Sequence, residues 1–277
     1  MIEAMQFSDL ALSRRLESAE GYACAEFADT RRRLFPDSGS EWRQIAGASA
    51  VFDGIDSPVT QTFGLGLFED LTAASLDEIE RFFLSRGAHV DHEVSPLAGV
   101  ASLSLFCSRG YHPIEISSVM YQVVERPQDE VASDIQVRLA GPGETQLWAE
   151  TMAKGWAHEH PEHLSFLLQT TAISSARDES ACFLAEIESQ PAAAGSLCIH
   201  QGVALFAGAA TIPEMRRRGL QGALLRERMR YAFDRRCDLA MMVAAAGSDS
   251  QRNAERNGFQ IAYMRIKWRL SSPDRAT

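Results

Sequence analysis

Apolar positions change period several times along this chain, and each change marks an element. Cys182 to Ile187, Ala194 to His200 and Val203 to Thr211 read as three successive strands with turn signals between them. Beyond Gly219 the period becomes helical: Leu225, Met229, Ala232 and Phe233 fall at i, i+4, i+7 and i+8, with arginines on the remaining faces. Leu239 to Val243 is a short continuous apolar run, suited to a strand buried on both faces. Ser248-Asp-Ser-Gln251 offers a capping box for a short helix that Gly258 ends, and Phe259 to Leu270 supplies a last strand. Upstream, Ile135 to Leu139 alternates like a strand, while Glu144 to Trp156 and His163 to Ile173 have helical spacing.

The first half repeats this ending. Gly87, the strand-like Ala88 to Val94, the helix-like Leu97 to Ser108, Gly110-Tyr111 and the strand Ile114 to Val124 parallel the order from Cys237 to Leu270. Between the halves, Glu125 to Asp134 turns polar and loses periodicity, as a linker does. The expected architecture is α/β: two domains, 1–127 and 134–277, each a twisted mixed sheet flanked by helices. A length of 277 residues accommodates two domains of ordinary size.

Charge sharpens this division. The chain carries 27 basic and 37 acidic residues, net −10, which excludes nucleic acid as a bulk electrostatic partner. The distribution is uneven: residues 214–277 hold 14 basic and 7 acidic side chains, or +7, leaving −17 for residues 1–213. An anion therefore belongs in the last quarter. A hydrophobic content of 45% is that of a globular protein, and no segment has the length and apolarity of a membrane span. Met1 to Asp9 lacks the pattern of a secretory signal, so a cytoplasmic location is expected. Five widely spaced cysteines, none in a C-x-x-C pair, read as reduced, mostly buried small hydrophobes, without a metal site.

The segment that carries chemistry is Ala209-Ala-Thr-Ile-Pro-Glu-Met-Arg-Arg-Arg-Gly-Leu-Gln-Gly-Ala-Leu-Leu225: a strand, a basic turn with glycines, then an amphipathic helix. The first amides of a helix have no internal partner, the macrodipole adds positive charge, and glycine permits close approach of a phosphate. Here the sequence resembles the GNAT superfamily of acyl-CoA-dependent N-acetyltransferases. That family's signature is Arg or Gln, two residues, Gly, one residue, then Gly or Ala. This chain has Arg216-Arg217-Arg218-Gly219-Leu220-Gln221, departing only at Gln221, with Gly222-Ala223 following. The resemblance covers about residues 134 to 270, and the repeat extends it weakly toward the N-terminus.

The resemblance implies acetyl-CoA as co-substrate. The amides of Arg217 to Ala223, including Leu220, and the side chains of Arg216, Arg217 and Arg218 would hold its phosphates. The strand edge at Ala210, Thr211 and Ile212 would pair with the pantetheine arm, joined by Asn253. In the first copy, the position matching Gly219 falls on Glu69, whose carboxylate would repel phosphate, so that copy is expected to be degenerate. The tyrosine that many family members place four residues before the glycine closing the short helix is Ala254 here. Glu186, His200 and Tyr263 remain as candidates for proton transfer. His158-Glu-His-Pro-Glu-His163 looks like a metal cluster, but Pro161 breaks it; the resemblance makes it a loop beside the acceptor pocket. The expected function is acetyl transfer from acetyl-CoA to a small-molecule amine, by direct attack in a ternary complex. The alternatives are an acyl-CoA-binding module without turnover and an unrelated nucleotide binder, the last disfavoured by the absence of a P-loop or G-x-G-x-x-G. Monomer and homodimer both stay open.

Overall fold

The computed structural model describes residues 7–127, 134–157, 164–178 and 180–271. Two compact units emerge, and neither is continuous in sequence. One comprises the residues up to Met120 with Val243–Gln251 and the chain from Ile261; the other comprises Tyr121–Met242 with Arg252–Gln260.

In the first unit, helix α1 (Leu10–Leu34) starts on Asp9, whose carboxylate accepts from the Leu12 amide at 2.9 Å. There follow β1 (Glu41–Ile45), β2 (Ala48–Phe52), β3 (Gln61–Phe63), α2 (Ala73–Leu84), β4 (Asp91–Val94), α3 (Gly99–Ser108) and β5 (Tyr111–Val123), whose last three residues pass into the other unit. The final strand of the chain, β11 (Gln260–Leu270), pairs antiparallel with β4, Trp268 opposite His92, giving the order β1-β2-β3-β4-β11-β5. A single cut at residues 127–134 would leave β11 with the second half of the chain; its own side chains explain its place. Buried Arg265 meets Glu17 and Glu20 of α1 and Glu93 of β4, with Lys267 also on Glu93. Tyr263 donates to Glu17 at 2.9 Å. Burial outweighs Arg265 at Glu17 and raises its carboxyl to about 7. The opposite face carries the apolar core, with Phe83, Phe106 and Trp268 at its centre.

The second unit holds β6 (Ile135–Leu139), α4 (Thr145–Ala157), α5 (Leu164–Ser175), β7 (Ser180–Ile187), β8 (Gln190–His200), β9 (Val203–Thr211), α6 (Leu220–Asp234) and the first four residues of β10 (Leu239–Ala245), with the last five residues of α7 (Asp249–Arg256). Its order is β10-β9-β8-β7-β6: antiparallel throughout except β9 with β10, which are parallel across the helix crossover. Alternate residues of β7 divide the faces. Leu184 packs on Trp148 of α4, and Phe183 meets Tyr231 of α6 edge-on. Half of the expected capping box forms: Ser248 Oγ accepts from the Gln251 amide at 3.2 Å, while Gln251 Oε1 accepts from the Gly247 amide at 2.8 Å. Gly258 closes α7 at φ 92°.

Two sequence expectations need correction. Of the apolar stripe on α6, Leu225, Met229 and Ala232 are buried while Phe233 is 41% exposed. Arg228, expected on an outer face with the other arginines, is 2% exposed. Its guanidinium fits because Gly195 of β8 lacks a side chain: a Cβ there would stand 3.4 Å from Arg228 Cζ. All five cysteines are free; Cys198 and Cys237 are buried and Cys107 is exposed.

Candidate functional site

The site builds from the far end of β9. Pairing of β9 with β10 covers only Val203 to Leu205 against Leu239 to Met241. From Phe206 to Thr211, β9 is paired with β8 alone among the described residues. The amide of Ile212 donates to Ala192 O at 2.9 Å. Backbone direction alternates along a strand, so Thr211 and Ala209 turn their N–H and C=O groups to the opposite edge, where the Thr211 carbonyl accepts from Arg216 Nε at 3.5 Å. Ile212 itself is committed, since its carbonyl also accepts from the Met215 amide. The open edge thus begins one residue earlier than the expected Ala210-Thr211-Ile212, and Ala210 directs its backbone toward β8.

One face of this edge is roofed by α4. A Cβ on Gly155 would stand 2.5 Å from the Ala210 Cβ and 3.1 Å from Thr211 N, so only glycine admits this approach. Arg216 secures the same junction, its Nη2 donating to Gly155 O at 3.1 Å. That guanidinium is therefore engaged in joining the turn to α4.

Past the single 3₁₀ turn at Pro213–Met215, the backbone enters the left-handed region at Arg217 (φ 62°) and again at Gly219 (φ 89°). A non-glycine residue pays roughly 1–2 kcal/mol for this conformation. Gly219 is the N-cap of α6, with no side chain capping it. The first helical bond is from Ala223 N to Gly219 O. The six amides from Arg217 to Gly222 have no acceptor among the described residues. Arg217, Arg218 and Gly219 are exposed, Gln221 and Gly222 half-buried and Leu220 buried. Arg218 lies 3.9 Å from Asp134. Gln221, the departure from the signature, turns its side chain back to donate to Thr211 Oγ1 at 2.8 Å and leaves the amides clear.

Gly222 faces Arg226 and Asn257: a Cβ on it would lie 3.5 Å from Arg226 Nη1 and 3.7 Å from Asn257 Oδ1. Both also line a cavity of about 240 Å³ with Leu225, Met229, Phe259, Gln122, Glu125, Arg126 and Pro127. Asn253 joins this corner through Asn257, whose Nδ2 donates to Asn253 O at 2.7 Å. Sequence reasoning missed Asn257 and Arg226. The i, i+4 spacing of Arg226 from Gly222 and of Asn257 from Asn253 was the available signal.

The proton-transfer candidates are dispersed. Glu186 is 8% exposed and its carboxylate accepts from Arg138 Nη2 at 2.7 Å. His200 pairs with Val203 at the hairpin end of β9, eight residues from Thr211, roughly 26 Å at about 3.3 Å per residue. Burial lowers its imidazole pKa. Tyr263 belongs to the first unit, bonded to Glu17, and burial raises its phenol well above the ordinary value. Ala254 is fully buried. The segment His158–His163 lies outside the described residues; among those described, no group of three or more His, Cys, Asp or Glu could hold a metal. No described helix is long and apolar enough to cross a membrane.

Residues 145–259 match the model of the acetyltransferase (GNAT) family. No curated protein matches the chain. Among solved structures, a GCN5-related N-acetyltransferase from Kribbella flavida is similar at a TM-score of 0.65 and 14% identity, over 93% of this chain and 97% of that one. Another, from Sphaerobacter thermophilus, gives 0.57 and 17% over 91% of each. A tandem GNAT protein from the clavulanic acid biosynthesis pathway gives 0.55 and 13%, over 82% of this chain and 79% of its own. At such identities the likeness is one of fold, and it extends over both units. Residues 145–259 thus match the GNAT acetyltransferase family, and the chain has a mixed α/β fold like that of GNAT structures, a tandem one among them.

Proposed function

We propose that the second unit transfers an acetyl group from acetyl-CoA to a small-molecule amine that attacks directly. The observation that carries this reading is the run of six acceptor-free amides at the start of α6, continuous with the open edge of β9. A diphosphate suits the amides, reinforced by the helix dipole and by Arg217 and Arg218. An extended amide-bearing arm suits the edge at Thr211 and Ala209, and the cavity at Arg226, Arg126 and Asn257 suits a nucleotide end. Acetyl-CoA supplies the activated thioester. The chain holds it in line and offers backbone N–H groups at the edge as donors to the carbonyl.

An alkyl ammonium must lose its proton before attack. Glu186 is bound to Arg138, His200 lies at the other end of β9, and Tyr263 is bonded to Glu17. Positioning therefore carries most of the catalysis in this reading. The charge of −17 on residues 1–213 favours a cationic acceptor. Free-thiol release from acetyl-CoA with a panel of small amines tests the proposal, turnover with at least one being expected. Binding of CoA without turnover across a broad panel would replace it with the second reading, an acyl-CoA-binding module, which the buried alanine at position 254 favours.

A further inference from the structure

Arg228 is a buried cation in the second unit, with no carboxylate in ion-pair range among the described residues. Desolvation lowers its pKa only to about 10, so it stays charged at neutral pH. Its contacts explain what the charge is for. The β8–β9 register shifts at one point: Gly195 pairs with Ala209 and Ser196 with Ala207, leaving Gly208 as the extra residue of a bulge, at φ 51°. A bulge interrupts the ladder locally. Two side chains bond to carbonyls beside it. Ser196 Oγ donates to Ala207 O at 2.8 Å, and Arg228 Nη1 donates to Ser196 O at 3.1 Å. Arg228 Nε also donates to Leu224 O at 3.3 Å, two residues beyond the last of the free amides of α6. The guanidinium lies 4.9 Å over the ring of Phe206, the first residue of β9 beyond its pairing with β10.

We propose that Arg228 is a positioning residue that fixes the Gly208 bulge and the open edge of β9 in register with the anion-binding turn of α6. The inference rests on reading that edge as the seat of the acyl-CoA arm. Gly195 belongs to the same device, because it vacates the space that the guanidinium fills. An apolar side chain of similar length would fill the volume and remove the hydrogen bond to the Ser196 carbonyl. Fold stability is not what the arginine supplies, since a buried charge without a counter-charge lowers stability relative to an apolar residue.

The test compares Arg228→Met and Arg228→Lys in the full chain, using acetyl-CoA and the best amine of the panel. For Arg228→Met the unfolding midpoint is expected to stay level or rise, while kcat falls about 30-fold and KM for acetyl-CoA changes by less than about threefold. Hydrogen exchange of Phe206 to Thr211 is expected to quicken at least about tenfold in the same variant. Arg228→Lys, which keeps the charge and one donor, is expected to recover kcat to within about fivefold of the parent. Unchanged kcat and exchange in Arg228→Met would overturn the proposal. So would a fall in kcat that only follows a fall in midpoint and is not rescued by lysine. If the parent turns over no amine, the acetyl-transfer reading fails and the exchange measurement alone decides on Arg228.

Discussion

Two helices follow a parallel-paired strand through a short connection, α2 after β3 and α6 after β9, and their first turns are finished in opposite ways. At α2, Thr72 accepts from the Ser75 amide at 3.1 Å while Ser75 Oγ accepts from the Thr72 amide at 3.0 Å. Its preceding loop carries Glu69 and Asp70 and no arginine. At α6 the cap is a glycine, three arginines precede it, and six amides are left open. One start has two of its amides bonded by its own cap, while the other has none bonded among the described residues.

The strongest way to break this contrast is to make α6 repel anions as well. Arg218→Glu with Gly219→Glu is expected to weaken acetyl-CoA binding at least about 100-fold in calorimetry while unfolding remains cooperative. Undiminished affinity would remove the turn from the site. Gly155→Ala should push α4 off the strand end at a cost of about 1–3 kcal/mol, read as a lower unfolding midpoint with lower thiol release. An unchanged midpoint would mean that the glycine is not needed for that contact.

The first unit is tested through pH. Glu17 keeps its proton in the folded chain up to about pH 7 but loses it near 4.5 when unfolded. Unfolding therefore releases a proton between those values, so stability falls as pH rises from 4.5 to 7 and then levels off. Glu17→Gln should flatten that slope, worth on the order of 3 kcal/mol at most, in denaturant titrations at pH 5 and pH 7.5. A slope that persists would place the proton elsewhere. The smallest effect is expected from Thr72→Ala: removal of the cap costs about 1 kcal/mol. Acetyl-CoA affinity should not move, and a change in it would link α2 to the cofactor.

Much of this was readable from residue order. The basic turn with its glycines, the helical spacing after Gly219 and the capping box at Ser248 are local patterns, and local patterns survive in a one-dimensional string. The misreadings concern partners distant along the chain. Arg228 looks like a surface residue until Gly195, 33 positions earlier, is found to make room for it. Ile212 looks available until Ala192 and Met215 are found to take its backbone groups. The Gly208 bulge exists only as a mismatch between two strands, so no property of either alone announces it.

The placement of β11 bears on how the chain comes into being. The sheet of the first unit is missing an interior strand until Leu270 has been synthesised, because β4 pairs with Ile266 to Arg269. During translation the N-terminal portion leaves the ribosome with Asp91, His92 and Glu93 lacking their neighbour and with Glu17 lacking Arg265. Maturation of that portion is thus tied to the emergence of β11 rather than to its own, and a nascent chain stalled before residue 260 would present an unfilled strand position to chaperones.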